Sequence, residues 1–126
     1  MTLKNQKVEI RTITKADILK FNNGEPYSNS LRGLAVERDG ELLAIAGVMH
    51  SSYLQVFSSM TDEMRKYPIM ILKTAKRLLQ IMESYNQPLY ALASDDEPTS
   101  EQFLKHLGFE LFNINEDGRY FVWHRH

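Results

Sequence analysis

The fold is decided by two neighbouring segments, Pro88-Leu-Tyr-Ala-Leu-Ala-Ser94 and Thr99-Ser-Glu-Gln-Phe-Leu-Lys-His-Leu-Gly-Phe109. The first is short and apolar, which predicts a strand. The second predicts a helix, because its apolar residues recur every three or four positions and because Thr99 or Ser100 can cap the first turn. Gly108 supplies a left-handed residue that ends this helix. The stretch therefore predicts strand, helix and strand in close succession.

The rest of the chain supplies the other elements. Alternation of apolar and polar residues predicts further strands at 8–12, 34–38, 41–49, 53–58, 110–114 and 120–123. Asp39-Gly40 and Asp117-Gly118 predict tight hairpin turns between neighbouring strands. Thr14 is a candidate cap for a short helix, and residues 22–33 lack an apolar period, which predicts a surface loop.

The longest predicted helix begins at Pro68, since proline is well tolerated in a first helical turn. Its predicted core face carries Ile71, Leu72, Ala75, Leu78, Leu79, Met82 and Tyr85. Lysines, Arg77 and Glu83 fall on the opposite face. This pattern is that of an amphipathic helix packed on a sheet.

Composition and charge exclude several classes of function. The chain has 126 residues and no cysteine, which removes disulfides, thiolate zinc sites and thiol nucleophiles together. A net charge of −1 gives no electrostatic reason to bind nucleic acid or an anionic membrane, and we predict neither as a partner. His124 and His126 lack a third ligand nearby in sequence, so we predict no metal site. Residues 1–126 are expected to form one domain.

The predicted order is strand, helix, three strands, long helix, strand, helix and two strands. This order, with the ending Phe103-Leu-Lys-His-Leu-Gly-Phe109, resembles the GNAT superfamily of acyl-CoA N-acyltransferases, whose members commonly end this helix with Phe-Tyr-x-x-x-Gly-Phe. The resemblance implies an α/β fold, with a central mixed β-sheet flanked by helices. It also implies acetyl-CoA as cofactor and an amine or a protein as substrate.

The resemblance implies where the coenzyme binds. The pantetheine arm would lie where strand 54–58 splays away from strand 89–94, and would contact Val56, Phe57, Ser58, Ala93 and Ser94. Superfamily members hold the pyrophosphate with a glycine-rich turn before the long helix. Residues 58–68 contain no glycine. Arg65 and Lys66 are the candidates that would bind the pyrophosphate through their positive charge instead.

The resemblance also implies catalytic roles. Leu104 replaces the tyrosine that would protonate the departing thiolate, and a leucine has no proton to donate. Glu37, His50 and Tyr53 are the candidates for a general base, because they lie on or beside the central strands. Each has a plain alternative: Glu37 as a solvent-facing strand residue, His50 as a turn residue and Tyr53 as a packing residue.

Two functions stay open at this point. One is an acyl-CoA dependent N-acetyltransferase acting on an unidentified amine. The other is a non-catalytic GNAT-fold module that binds a protein or a second copy of itself. The single short helix predicted before residue 34 resembles the layout of small GNAT-like proteins of tailed bacteriophages, which implies a virion or assembly role. We expect a cytoplasmic location, in the host cell if the chain is phage-encoded.

Overall fold

The computed structural model describes residues 7–21, 30–93, 98–116 and 118–124, and only the backbone of residues 93 and 98–102. The strands are β1 (Val8–Thr12), β2 (Ser30–Arg38), β3 (Glu41–His50), β4 (Leu54–Met60), β5 (Leu89–Ala93), β6 (Glu110–Asn115) and β7 (Gly118–Trp123). The helices are α1 (Lys15–Phe21), α2 (Pro68–Glu83) and α3 (Pro98–Leu107). A short 3-10 helix, Glu63–Lys66, connects β4 to α2.

All of these strands belong to one sheet with the order β1-β2-β3-β4-β5-β7-β6. Neighbouring strands are antiparallel except β4 and β5, which are parallel. The parallel pair follows from the α2 crossover, because strands joined through a helix can run in the same direction. The predicted mixed sheet flanked by helices is confirmed.

The two faces of the sheet have different partners. One face, here called the helical face, carries Val56 of β4, Leu89 of β5 and Phe121 of β7, which share a buried cluster with residues of both α2 and α3. Alternation along each strand places Gln55, Tyr90 and Val122 on the opposite face. The short helix α1 contacts β3.

Helix α1 is fixed by a buried carboxylate. Thr14 and Asp17 form a reciprocal cap, in which the Thr14 N–H donates to Asp17 at 2.8 Å and the Asp17 N–H donates to the Thr14 hydroxyl at 3.3 Å. Arg11 donates two further hydrogen bonds to Asp17, at 2.7 and 2.8 Å. These bonds, those from Arg11 above all, lower the pKa of Asp17 to about 2. The carboxylate therefore stays ionised and ties α1 to β1.

Two predicted turns are confirmed in detail. Asp39 and Gly40 have φ angles of 50° and 85°, as a type I′ hairpin requires. Gly108 has a φ of 100°, and its N–H donates to Lys105 while the Phe109 N–H donates to Leu104. This pair of bonds is a Schellman motif, which satisfies carbonyl groups at the end of α3. Residue 117, which precedes Gly118 in the second predicted hairpin turn, lies outside the described residues.

Two predicted element boundaries and one predicted core residue are wrong. Strand β2 begins at Ser30, because residues 30–33 pair with residues 47–50 of β3. These four residues are therefore not part of a loop. Residues 22–29 of that predicted loop lie outside the described residues. Helix α3 begins at Pro98, which places Thr99 and Ser100 inside its first turn rather than at the cap. Leu72 is 51% exposed and is not part of the core face of α2.

Among the described residues, none of the helices has the length and apolar character needed to cross a membrane.

Candidate active site

The candidate site is the gap between β4 and β5. Gln55 and Tyr90 form the single register pair between these strands in the described part of the chain, whereas β4 pairs with β3 from Leu54 to Met60. The two strands therefore meet at one end and separate towards their carboxyl ends. Because backbone groups point alternately to the two edges of a strand, the stretch of β4 after Gln55 presents N–H and C=O groups to the gap.

A small cavity of about 20 Å³ lies between β3, β4 and α2. It is lined by Ala46 of β3, Ser58 and Met60 of β4, Thr74 of α2 and Phe103 of α3. A volume of this size holds roughly one water molecule. Phe103 therefore lies close to the face of β4 that α2 covers.

The segment between β4 and α2 is held by ion pairs. Arg38 of β2 donates to Glu63 at 3.0 Å and to the Tyr67 hydroxyl at 2.7 Å. The hydrogen bond from Arg38 lowers the pKa of Glu63, and one from Lys66 adds to the effect. Arg65 pairs with Asp62 in the same way that Lys66 pairs with Glu63. Both proposed phosphate ligands therefore already have carboxylate partners, and both are exposed to solvent.

The beginning of α2 has the features of an anion site. Within the described residues, Tyr67 provides no side-chain cap, Pro68 is the first helical residue, and the first turn contains no acidic side chain. Helix amino termini attract anions through unpaired N–H groups and the helix dipole. This end of α2 lies near the carboxyl end of β4, because Met60 of β4 and Met70 and Ile71 of α2 pack against the same buried cluster.

Glu37 does not face the gap. It lies on β2, two strands from β4, and accepts a hydrogen bond from Arg11 Nε at 2.6 Å. Because Arg11 also binds Asp17, Glu37 belongs to the ion-pair cluster that anchors α1.

His50 lies at the end of β3 and is bonded on both sides of its ring. Its Nδ1 is 3.0 Å from Ser30 Oγ and its Nε2 is 2.6 Å from the Tyr85 hydroxyl. Burial raises the pKa of Tyr85, and the positive charge of Arg32 partly offsets this effect. His50 pairs with Leu54, just before the point where β4 and β5 meet. It therefore lies at the closed end of the gap.

Tyr53 is the candidate base with the most accessible position. Its side chain is 41% exposed, and its ring contacts the Tyr90 ring edge to face, with centroids 5.7 Å apart. Tyr90 is the residue that pairs with Gln55 at the end of the gap. Leu104, in contrast, is buried in the core with Leu107 and cannot contact a ligand without rearrangement.

The remaining predicted coenzyme contacts are spread over both faces of the sheet. Val56 is buried on the helical face, Phe57 is half-buried on the opposite face, and Ser58 lines the small cavity. Ala93 ends β5, and Ser94 lies outside the described residues. Such a spread is compatible with contacts made by the backbone of β4, and not with a single cluster of side chains.

Sequence reasoning missed one residue at this site, Tyr90. Tyr90 had a usable signal, because it alternates with Leu89 and Ala91, which are buried against the helices. A large aromatic residue at the alternate position of a half-covered strand indicates a ring on the other face.

A larger cavity, about 980 Å³, lies between α1, the start of β2 and α2. Leu19 and Ser30, on either side of segment 22–29, both line it. Because that segment lies outside the described residues, the cavity is assigned no ligand. In the part of the chain that the structure describes, no three His, Asp or Glu side chains are grouped as metal ligands would be.

Comparison with known proteins identifies the fold. No protein-family model and no curated protein matches the sequence. Solved structures match over nearly the whole chain. A GNAT superfamily phosphinothricin acetyltransferase from Sinorhizobium meliloti, in complex with acetyl-CoA, has a TM-score of 0.68 and 13% identity, covering 92% of this chain and 87% of its own.

Two further structures agree with it. The ribosomal-protein-S18-alanine N-acetyltransferase of Escherichia coli has a TM-score of 0.64 at 13% identity, covering 92% of this chain and 91% of its own. A dodecameric spermidine N-acetyltransferase from Vibrio cholerae has a TM-score of 0.61 at 12% identity, covering 94% of each chain. The chain therefore has the fold of the GNAT acetyltransferases. Identities this low establish the fold alone.

Proposed function

We propose that this protein is an acyl-CoA dependent N-acetyltransferase that acts on an amine. The observation that carries the proposal is the separation of β4 from β5 after the Gln55–Tyr90 pair. Parallel neighbouring strands normally continue to pair along their length, and a sheet that opens here exposes backbone hydrogen-bonding groups in its interior. A ligand with alternating amide groups, such as the pantetheine arm, would satisfy them.

The chain fits the coenzyme at two places. The backbone edge of β4 after Gln55 would hold the pantetheine amides, and the start of α2 would receive the phosphates. Arg65 and Lys66 are exposed enough to turn from Asp62 and Glu63 towards a phosphate.

The bound coenzyme would supply an acetyl group activated as a thioester. The amine nitrogen would bond to the acetyl carbon as the carbon–sulfur bond breaks, and the proton that the amine loses would balance the thiolate. N–H groups of β4 would stabilise negative charge on the carbonyl oxygen, and strand geometry would position the reactants. Among the three predicted bases, Tyr53 is the best placed to contact the amine, since Glu37 is paired with Arg11 and His50 with Tyr85.

Calorimetric titration with acetyl-CoA tests the proposal. We expect the parent protein to bind, and the double variant Arg65→Ala/Lys66→Ala to bind at least about tenfold more weakly, or about 1.4 kcal/mol. The loss should shrink as salt rises, because exposed ion contacts are screened. The matched control is Lys73→Ala/Lys76→Ala, which removes the same charge from exposed positions of α2 away from its first turn.

The outcomes separate the two functions. If the double variant and its control weaken acetyl-CoA binding equally, the phosphates bind at residues other than Arg65 and Lys66. No binding by the parent protein at about millimolar acetyl-CoA, a free energy near −4 kcal/mol, would overturn the transferase proposal. That result would favour the alternative of a non-catalytic module that binds a protein, including a phage virion role, which the structural comparisons do not favour.

A further inference from the structure

Three aromatic side chains form a continuous row on the sheet. The ring of Tyr53 contacts that of Tyr90 with centroids 5.7 Å apart at 89°, and the ring of Tyr90 contacts that of Phe112 at 5.8 Å and 67°. The row runs from Tyr53, the residue before β4, over β5 and β7 to β6. We call Tyr53, Tyr90 and Phe112 the aromatic platform. Edge-to-face packing at these distances is a favoured arrangement of aromatic pairs.

The platform lies on the face of the sheet opposite α2 and α3. Leu89 and Ala91, the neighbours of Tyr90 in β5, are buried against those helices, so Tyr90 points the other way. Its outer rings are accessible to solvent, with Tyr53 41% and Phe112 62% exposed. The rings are therefore not needed to complete the core.

The platform begins where the gap ends. The backbone of Tyr90 pairs with Gln55 in the one register pair between β4 and β5 among the described residues. On the helical face, Val56 of β4 and Leu89 of β5 are covered by residues of α2 and α3. A second reactant that reaches the end of the gap thus has its most open path over Tyr53 and Tyr90.

The chemistry of the platform favours a cation. Aromatic ring faces carry negative charge density and attract ammonium groups within about 6 Å. Val122 of β7 is the cross-strand partner of both Tyr90 and Glu110. Because cross-strand partners point to the same face of a sheet, Glu110 adds a carboxylate to the face that carries Tyr90. Its side chain is exposed. Rings and a carboxylate together are complementary to a protonated amine.

We propose that the aromatic platform is the docking surface for the acyl acceptor, and that the acceptor is a cationic alkylamine. This inference rests on the proposed transferase function and adds the class of amine. The charged amine is held over the ring faces by cation–π attraction, with Glu110 nearby, at the end of the gap. It releases one proton to solvent, and the neutral amine then reacts there. A neutral or anionic molecule of the same shape gains only the apolar contact.

Binding of a simple probe tests the platform without any coenzyme. n-Butylammonium would be titrated into the protein while the aromatic ring resonances are followed by NMR, with 1-butanol and butyrate as uncharged and anionic probes of equal length. We expect butylammonium to shift the Tyr53, Tyr90 and Phe112 resonances and to bind at least about threefold more tightly than 1-butanol. The Tyr53→Leu and Phe112→Leu variants should each weaken butylammonium binding about two- to fivefold.

Leu72→Ala is the control, since it removes an exposed apolar side chain of α2, away from the platform. It should bind butylammonium within about twofold of the parent protein. Both leucine variants change exposed side chains, so folding should persist, and circular dichroism would check it. Equal affinity for 1-butanol and butylammonium, full retention of binding by both leucine variants, or no ring shift at about 100 mM probe would each overturn the proposal. Because acetyl-CoA is absent, such a failure would leave the coenzyme titration unaffected.

Discussion

The Leu78→Ala variant is expected to lose about 2 to 5 kcal/mol of its free energy of unfolding. Leu78 is completely buried between α2 and the sheet, in the cluster that also contains Leu89 and Trp123. Truncation removes apolar contacts and leaves a cavity, because the surrounding strands cannot collapse far without breaking their pairing. Urea unfolding followed by circular dichroism measures the change.

Lys76→Ala is the control for Leu78→Ala. It lies in the same helix at an exposed position, and its substitution should change stability by less than about 0.5 kcal/mol. Comparable losses in the two variants would mean that the face of α2 that packs on the sheet has been assigned wrongly.

The Gly47→Ala variant is expected to lose about 1 to 3 kcal/mol of stability, by a different mechanism. Gly47 pairs with Gly33 across β3 and β2. A β-carbon at position 47 would overlap the carbonyl oxygen of Arg32, would lie 2.7 Å from Gly33 Cα and would lie 3.0 Å from Phe57 Cζ. Two of these contacts are with backbone, so no side-chain rotation relieves them and the strands must separate.

Urea unfolding of Gly47→Ala against Glu9→Ala tests this contact. Glu9 is an exposed residue of β1, and its substitution should change stability by less than about 0.5 kcal/mol. A Gly47→Ala protein as stable as the parent would show that β2 and β3 are farther apart than described. The result bears on the site, because β3 positions β4 along the gap.

Local rules were enough for most of the fold. The Asp39-Gly40 hairpin, the end of α3 at Gly108 and the start of α2 at Pro68 each depend on a few adjacent residues with special backbone preferences. Such preferences act in any context, and so they can be predicted from sequence. The parallel order of β4 and β5 then follows from the length of the α2 crossover.

Elements that depend on partners were harder to predict. The first residues of β2 include Ser30, Arg32 and Gly33, a set with no strand propensity, yet they pair because β3 lies alongside. Leu72 carries an apolar side chain at helical spacing, but it is exposed. Tertiary position decided both cases.

The candidate site could be predicted only in outline. The location of the gap was predicted from the resemblance to the GNAT superfamily. No residue pattern within the two strands indicates it. The ion pairs that occupy Arg65, Lys66 and Glu37 join residues far apart in the chain or across a short 3-10 helix, and a sequence pattern does not rank such partners. Tyr53 and His50 have similar positions in sequence, but one is exposed while the other is bonded between Ser30 and Tyr85.

Amide hydrogen exchange with and without acetyl-CoA tests the central claim most directly, namely that the edge of β4 after Gln55 binds the coenzyme. With acetyl-CoA present, we expect the amides of residues 56–60 that face the gap, and those of the first turn of α2, to exchange several-fold more slowly, because these N–H groups gain partners. Val8–Thr12 of β1, far across the sheet, should be unchanged. Unchanged exchange throughout β4, or protection confined to another part of the sheet, would contradict the account.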